Sequence, residues 1–228
     1  YPREQIHFVL VSDGSRDETA ALFRGWCQPR TNARAVALPK NIGKAAALNH
    51  GAALIPDYEI LVVYDADQRP EPQSLRHLAG AFADSGVGAV SGYCAPWNAR
   101  ESLVARYAAL EAYGHQLIVQ AGKERWGLNP TTMGGNCGYR RRALEQVGGF
   151  PAGSYSEDIE VSLAMAARGW RTRFVEEAAA DKRVAASLDH YIQQRRRWSF
   201  GMYGARRRAS GFESWAVALG YADRILFL

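Results

Sequence analysis

The sequence predicts an α/β protein built on a mostly parallel, doubly wound sheet. Three observations carry this. Short apolar runs alternate with helix-forming stretches along the first half. The runs are continuous rather than alternating, as in strands covered on both faces. Two of them stop abruptly at an aspartate, where such sheets present ligand-binding loops.

The first run, 5–11, reads as a buried strand that stops at Ser12-Asp13-Gly14. Ser15 to Glu18 then supply an N-cap and early acidic residues for a helix to about Trp26. A second strand is expected at 34–38 and an alanine-rich helix at 44–54. A third strand at 59–64 ends at Asp65, and Pro72 opens a helix to about Asp84. A fourth strand follows at 87–93. Beyond it the pattern is less regular. A long helix is expected at 100–121, a glycine-rich loop or strand at 131–139, a helix at 158–168, a strand at 170–175 and a basic helix at 188–208. No linker divides the chain. We read 1–187 as one domain and 188–228 as a C-terminal helical elaboration.

Composition narrows the class. The hydrophobic fraction of 47% and charged fraction of 22% supply a buried core and exclude disorder. The net charge of +5 comes partly from the arginine clusters 140–142, 195–197 and 206–208, which suit a phosphorylated substrate, nucleic acid or anionic lipid. Cys27, Cys94 and Cys137 are odd in number and lack C-x-x-C spacing, so neither a disulfide framework nor a zinc site is suggested. No run reaches the length of a membrane span. The apolar end, 215–228, is broken by Asp223-Arg224 and could begin a membrane segment, lie at an interface or be a core helix.

Five motifs carry chemistry. Asp65-Ala66-Asp67 follows a buried strand, and two carboxylates so close call for a cation. Hard oxygen ligands of this kind suit Mg²⁺ or Mn²⁺ bound jointly with a diphosphate. Asp13 stands at the first strand's end, where a carboxylate can accept hydrogen bonds from a nucleobase or ribose. Lys44 opens a helix and could meet a phosphate. Asp158, with Glu157 at a helix start, could serve as a general base or simply as an acidic cap. Gln194-x-x-Arg197-Trp198 offers donors for hydroxyls and phosphate beside a flat ring that a sugar can stack on.

The ordered set of Asp13, Asp65-x-Asp67, Glu157-Asp158 and Gln194-x-x-Arg197-Trp198 resembles the processive members of the inverting family-two glycosyltransferases, which include the cellulose, chitin, hyaluronan and poly-N-acetylglucosamine synthases. Gly134-Gly-Asn-Cys-Gly and Gly148-Gly149-Phe150 also look like segments of that family. The resemblance implies a GT-A fold with C-terminal amphipathic, interfacial helices. It implies a nucleotide-sugar donor, usually a UDP-sugar, and a growing polysaccharide as acceptor. Asp13, Lys44 and Asp65 would then serve the nucleotide and donor. Asp67 would bind Mg²⁺ or Mn²⁺, with Asp65 beside it. Asp158 would be the catalytic base, and Cys137, Glu157, Gln194, Arg197 and Trp198 would form the acceptor and diphosphate edge. The catalytic domain would face the cytoplasm, held at a membrane by flanking helices that the sequence lacks.

Two departures stand out. The family usually carries two aspartates where this chain has Ser12-Asp13, and its opening strand would precede Tyr1. An alternative is a non-processive relative that adds one sugar to a lipid or small acceptor. A nucleic-acid binder would need aromatic and basic residues interleaved on one surface. Only the Trp198 region offers that, so no nucleic-acid partner is expected. A dehydrogenase is excluded by the absence of a G-x-G-x-x-G fingerprint.

Overall fold

The computed structural model describes residues 1–55 and 57–208. The first unit is β1 (Phe8–Asp13), α1 (Thr19–Cys27), β2 (Ala33–Leu38) and α2 (Lys44–Ala53). β1 and β2 pair in parallel, from Phe8 against Ala33 to Asp13 against Leu38, as a two-stranded sheet. α2 packs closely on β1: a side chain at Gly51 would stand 3.0 Å from Val11 Cγ2.

The second sheet has the order β3-β6-β5-β7-β4. Its strands are β3 (Ile60–Val63), β4 (Arg69–Pro70), β5 (Val87–Pro96), β6 (Cys137–Arg140) and β7 (Arg171–Lys182). The longest pairing, β5 with β7, is parallel; β6 and β4 run antiparallel to their neighbours. The expected mostly parallel α/β sheet is therefore present, with reversed strands woven in. Tyr139, Met165, Val161, Phe150 and Leu144 fill the core on one side. Leu78, Phe82, Val87 and Val90 fill it on the other.

Helices α3 (Ser74–Gly80), α6 (Arg141–Gln146), α7 (Glu157–Ala167) and α8 (Leu188–Arg208) complete this unit. The long helix expected at 100–121 is instead α4 (Leu103–Tyr113), capped by Ser102 Oγ accepting from the Ala105 amide, a π-helical stretch over Gly114–Gln120, and α5 (Ala121–Arg125). The π turn has a physical reason. It aims Gln116 at β5, where Oε1 accepts from the Cys94 amide (2.7 Å) and Nε2 donates to the Cys94 carbonyl (2.9 Å). Those groups lie at a register shift between Gly92 and Cys94 and would otherwise be buried and unpaired.

β5 and β7 each run further than expected, to Pro96 and Lys182. Their ladder slips at Val175, where the Glu176-Glu177 pair interrupts the apolar pattern, and resumes at Ala180. Short α6 also escaped the sequence reading. It stops in a Schellman turn: Gly149 N–H donates to the Leu144 carbonyl and Gly148 N–H to that of Glu145, both glycines having φ of +81°. Phe150 is thereby delivered edge-on to Tyr139 (ring centroids 5.1 Å), while its backbone pairs twice with Asn49 of α2. Gly148-Gly149-Phe150 is thus a helix stop that bolts the α2 unit to the second sheet.

The arginine clusters are partly spent inside the protein. Arg140 donates to the carbonyls of Phe82, Asp84 and Val87, and Arg141 pairs with Glu145. Among the described residues no helix is long and apolar enough to cross a membrane. The stretch 215–228 lies outside the described residues.

Candidate active site

β3, β5 and β7 run parallel through the antiparallel β6, so their carboxyl ends share one edge of the sheet. Asp65 lies just past β3 in a tight turn. The Gln68 amide donates to the Asp65 carbonyl (3.0 Å), and Gln68 Oε1 accepts from the Asp65 amide (2.9 Å). Gln68 is buried, and its Nε2 donates to Cys94 Sγ (3.3 Å). Asp65 is therefore positioned through Gln68, the β5 bulge and the π turn behind it.

Lys44 is the hub of the site. Gly43 caps α2 with φ of +89° and brings Lys44 to the same edge. Its Nζ donates to Asp65 Oδ1 (2.6 Å) and the Gly134 carbonyl (2.6 Å), and lies 3.5 Å from Glu157 Oε1. Burial alone would lower the Lys44 pKa, but attraction from Asp65, and then from Glu157 and Asp158, outweighs this and raises it. Its stabilising contribution is therefore present throughout the neutral range and is lost only as pH rises through the raised alkaline value.

The segment 131–136 lies across these groups. Gly134, at φ of +83°, is so close that a Cβ there would sit 3.3 Å from both Asp158 Oδ2 and Lys44 Nζ. A Cβ on Gly135 would meet Gln68 Oε1 at 2.5 Å and Asp65 Oδ2 at 2.6 Å. Buried Thr132 ties the segment down: its Oγ1 donates to the Asp158 carbonyl (2.9 Å), its amide donates to Ser162 Oγ (3.0 Å), and Tyr139 Oη donates to its Oγ1 (3.1 Å). Asn136 holds the far end. It accepts a left-handed φ of +51°, and Nδ2 donates to the carbonyls of Tyr93 and Ala178.

The other expected residues divide. Glu157 is buried against Lys44, and Asp158 follows it in the first turn of α7. Asp67 is exposed and makes no hydrogen bond or ion pair among the described residues, so its carboxylate is open to a cation. Asp13 holds a loop: its two carboxylate oxygens accept from the amides of Ile42 (2.8 Å) and Gly43 (3.0 Å), which fixes the residue before Lys44.

Cys137 must be corrected. It was expected to line the acceptor path, but it is fully buried in the core at the start of β6, and burial pushes its thiol up to about 12. A group shut inside the sheet touches no acceptor.

Gln194, Arg197 and Trp198 lie on α8. Gln194 and Arg197 make no hydrogen bond or ion pair with Asp65, Asp67, Glu157 or Asp158 among the described residues. α8 docks instead on α4. Tyr191 Oη donates to Glu111 Oε2 (2.9 Å), Arg195 pairs with the same carboxylate, and the Arg195 guanidinium lies 4.7 Å from the Trp198 ring centroid. Arg195, one of the unspecified positions of Gln194-x-x-Arg197-Trp198, is thus the anchor that sets the motif's helix in place.

Sequence reasoning missed Gln68, Gln116 and Lys182. The first two are uncharged and act through backbone groups that no spacing reveals. Lys182 closes β7 with its Nζ 3.4 Å from Asp65 Oδ2, a neighbour 117 positions away in sequence. It also missed Trp97, half-exposed past β5 with Arg69 and Arg183 over its ring, in a cleft of about 700 Å³.

The family model for glycosyl transferase family group 2 matches residues 60–228. The chain belongs to this family. It is a glycosyltransferase domain with a GT-A-like fold. Over 205 residues it is 29% identical to the probable glycosyltransferase YdaM of Bacillus subtilis, covering 88% of this chain and 49% of that protein. The UDP-forming cellulose synthase 1 catalytic subunit of Komagataeibacter xylinus is 28% identical over 212 residues, covering 89% of this chain and 27% of the subunit. The chain thus spans about half or less of the length of these relatives. Among solved structures, the mannosyltransferase PcManGT of Pyrobaculum calidifontis, in complex with GDP-Man and Mn²⁺, superposes with a TM-score of 0.73 at 25% identity, over 97% of this chain and 61% of that one.

Proposed function

We propose that this domain transfers a sugar, with inversion, from a nucleoside-diphosphate sugar to a growing polysaccharide. One observation carries the reading. Adjacent glycines lie against the two key carboxylates: Asp158 Oδ2 would be 3.3 Å from a Cβ on Gly134, and Asp65 Oδ2 2.6 Å from one on Gly135. The carboxylate assigned to the donor and the one assigned to the base therefore flank one short stretch of backbone, as an in-line reaction requires.

In this reading Asp158 takes the proton of an acceptor hydroxyl while its oxygen attacks the anomeric carbon. The bond from that carbon to the diphosphate oxygen breaks, and its electron pair leaves with the diphosphate. Asp13 and Asp65 hold the nucleotide and donor, and Lys44 keeps Asp65 and Glu157 in place. Asp67, open to solvent, would supply the protein's ligand to a hard cation, with Asp65, now held by Lys44 and Lys182, beside it and the remaining ligands from the diphosphate. A Mg²⁺ or Mn²⁺ ion there would offset the charge gathering on the departing phosphate. The structural neighbour in complex with GDP-Man and Mn²⁺ supports this choice. Gln194, Arg197 and Trp198 would meet the acceptor and diphosphate.

The cellulose synthase relatives and Gln194-x-x-Arg197-Trp198 favour a UDP-sugar and processive elongation, at a membrane with this domain on the cytoplasmic side. Incubating the full-length, membrane-embedded protein with a panel of UDP-sugars and GDP-mannose tests this. Long products from one UDP-sugar are expected. Products extended by one residue would overturn processivity in favour of single-sugar transfer.

A further inference from the structure

We propose that Lys182, which no motif of the sequence marks, is the cation that grips the outer phosphate of the nucleotide diphosphate. This rests on the donor-site reading above. Lys44 already bonds Asp65 Oδ1 at 2.6 Å. Lys182 stands on the other oxygen at 3.4 Å, well beyond the 2.7–2.9 Å of a strong charge-assisted bond. Among the described residues this loose contact is the only hydrogen bond or ion pair of its ammonium group. An ammonium has three donors, so most of its capacity is unused.

Its placement narrows the ligand. The Lys182 side chain is 28% exposed, partly withdrawn from water yet open on one side. It approaches Asp65 from β7, whereas Lys44 approaches from α2, so the two ammonium groups bracket the donor carboxylate. Asp65, Asp67, Glu157 and Asp158 crowd this edge, and Lys44 alone leaves a net negative site that repels a diphosphate. A second cation on a flexible four-carbon stem lessens that excess and can follow an oxygen as its charge grows. Lys182 is assigned to the outer phosphate because that is the one released from the sugar. In the absence of donor it rests on Asp65; with donor bound it exchanges Asp65 for the phosphate.

The test is calorimetric titration of the full-length protein with UDP, UMP and GDP in the presence of Mg²⁺, comparing wild type with Lys182→Thr, Lys182→Gln and Lys182→Arg. UDP affinity is expected to fall about 10–100-fold in Lys182→Thr and Lys182→Gln, with UMP affinity unchanged. Lys182→Arg should restore most of the UDP binding. If UDP affinity is unchanged in Lys182→Gln, or if UDP and UMP weaken together, the assignment is overturned and Lys182 merely supports Asp65. A wild-type protein that binds neither UDP nor GDP would overturn the donor site itself.

Discussion

Asp158→Asn is expected to lower the rate of transfer by about 10²–10⁴-fold, the usual contribution of a positioned general base, while leaving nucleotide binding within a few-fold of wild type. The separation follows from geometry. The Asp158 carbonyl accepts from Thr132 Oγ1 and Ser162 Oγ, so the start of α7 keeps its place when the side chain loses its charge. Asn is nearly isosteric but a very weak base. Initial rates of sugar transfer, set beside calorimetric UDP affinity, check this. Full activity in Asp158→Asn would remove Asp158 from the reaction.

Gly135→Ala is the second large effect. The added methyl would enter space held by Gln68 Oε1 and Asp65 Oδ2 at 2.5 and 2.6 Å. Neither can yield freely, since Gln68 is buried and bonded to Cys94 and Asp65 is held by Lys44. Overpacking of this kind costs about 1–3 kcal/mol of stability, and displacing a reacting group by about 1 Å can cost 10²-fold in rate. We expect a lowered melting temperature and about a 10²-fold loss in kcat/KM. Gly25→Ala, in α1 away from the site and where a Cβ meets nothing within 4 Å, is the matched control and should lower neither. Normal kinetics in Gly135→Ala would mean that the loop does not set the position of Asp65.

The legible parts of this chain share a cause. Continuous apolar runs ending at Asp13 and Asp65 announced β1 and β3, although both strands are only partly buried and β3 pairs antiparallel with β6 at the sheet edge. Asp65, Lys44, Glu157 and Asp158 could be picked out as charges at element ends, and the fold gathers all four. What stayed hidden depends on distance in sequence or on main-chain satisfaction. β7 could not be followed past Val175, because its pairing resumes only after Glu176-Glu177 at a slipped register. The π turn was invisible because Gln116 is explained only by a bulge 22 positions away. Only the resemblance places Cys137 at the acceptor edge; here it opens β6 in the core, where the next residue, Gly138, admits the Phe82 ring, its nearest atom 2.8 Å from where a Cβ would be. The sequence assigns Gln194, Arg197 and Trp198 of the α8 motif to the substrate, yet Arg195 between them is the residue tied to Glu111.

Cation dependence tests the central claim most directly. Transfer by the full-length protein, measured with its preferred nucleotide sugar, should stop in excess chelator and return on adding Mn²⁺ or Mg²⁺. Asp67→Asn should need at least about 10–100-fold more cation for half-maximal rate, the loss that follows removal of even an outer-shell partner of a metal. Undiminished transfer in chelator, or an unchanged cation requirement in Asp67→Asn, would contradict a metal held at Asp67.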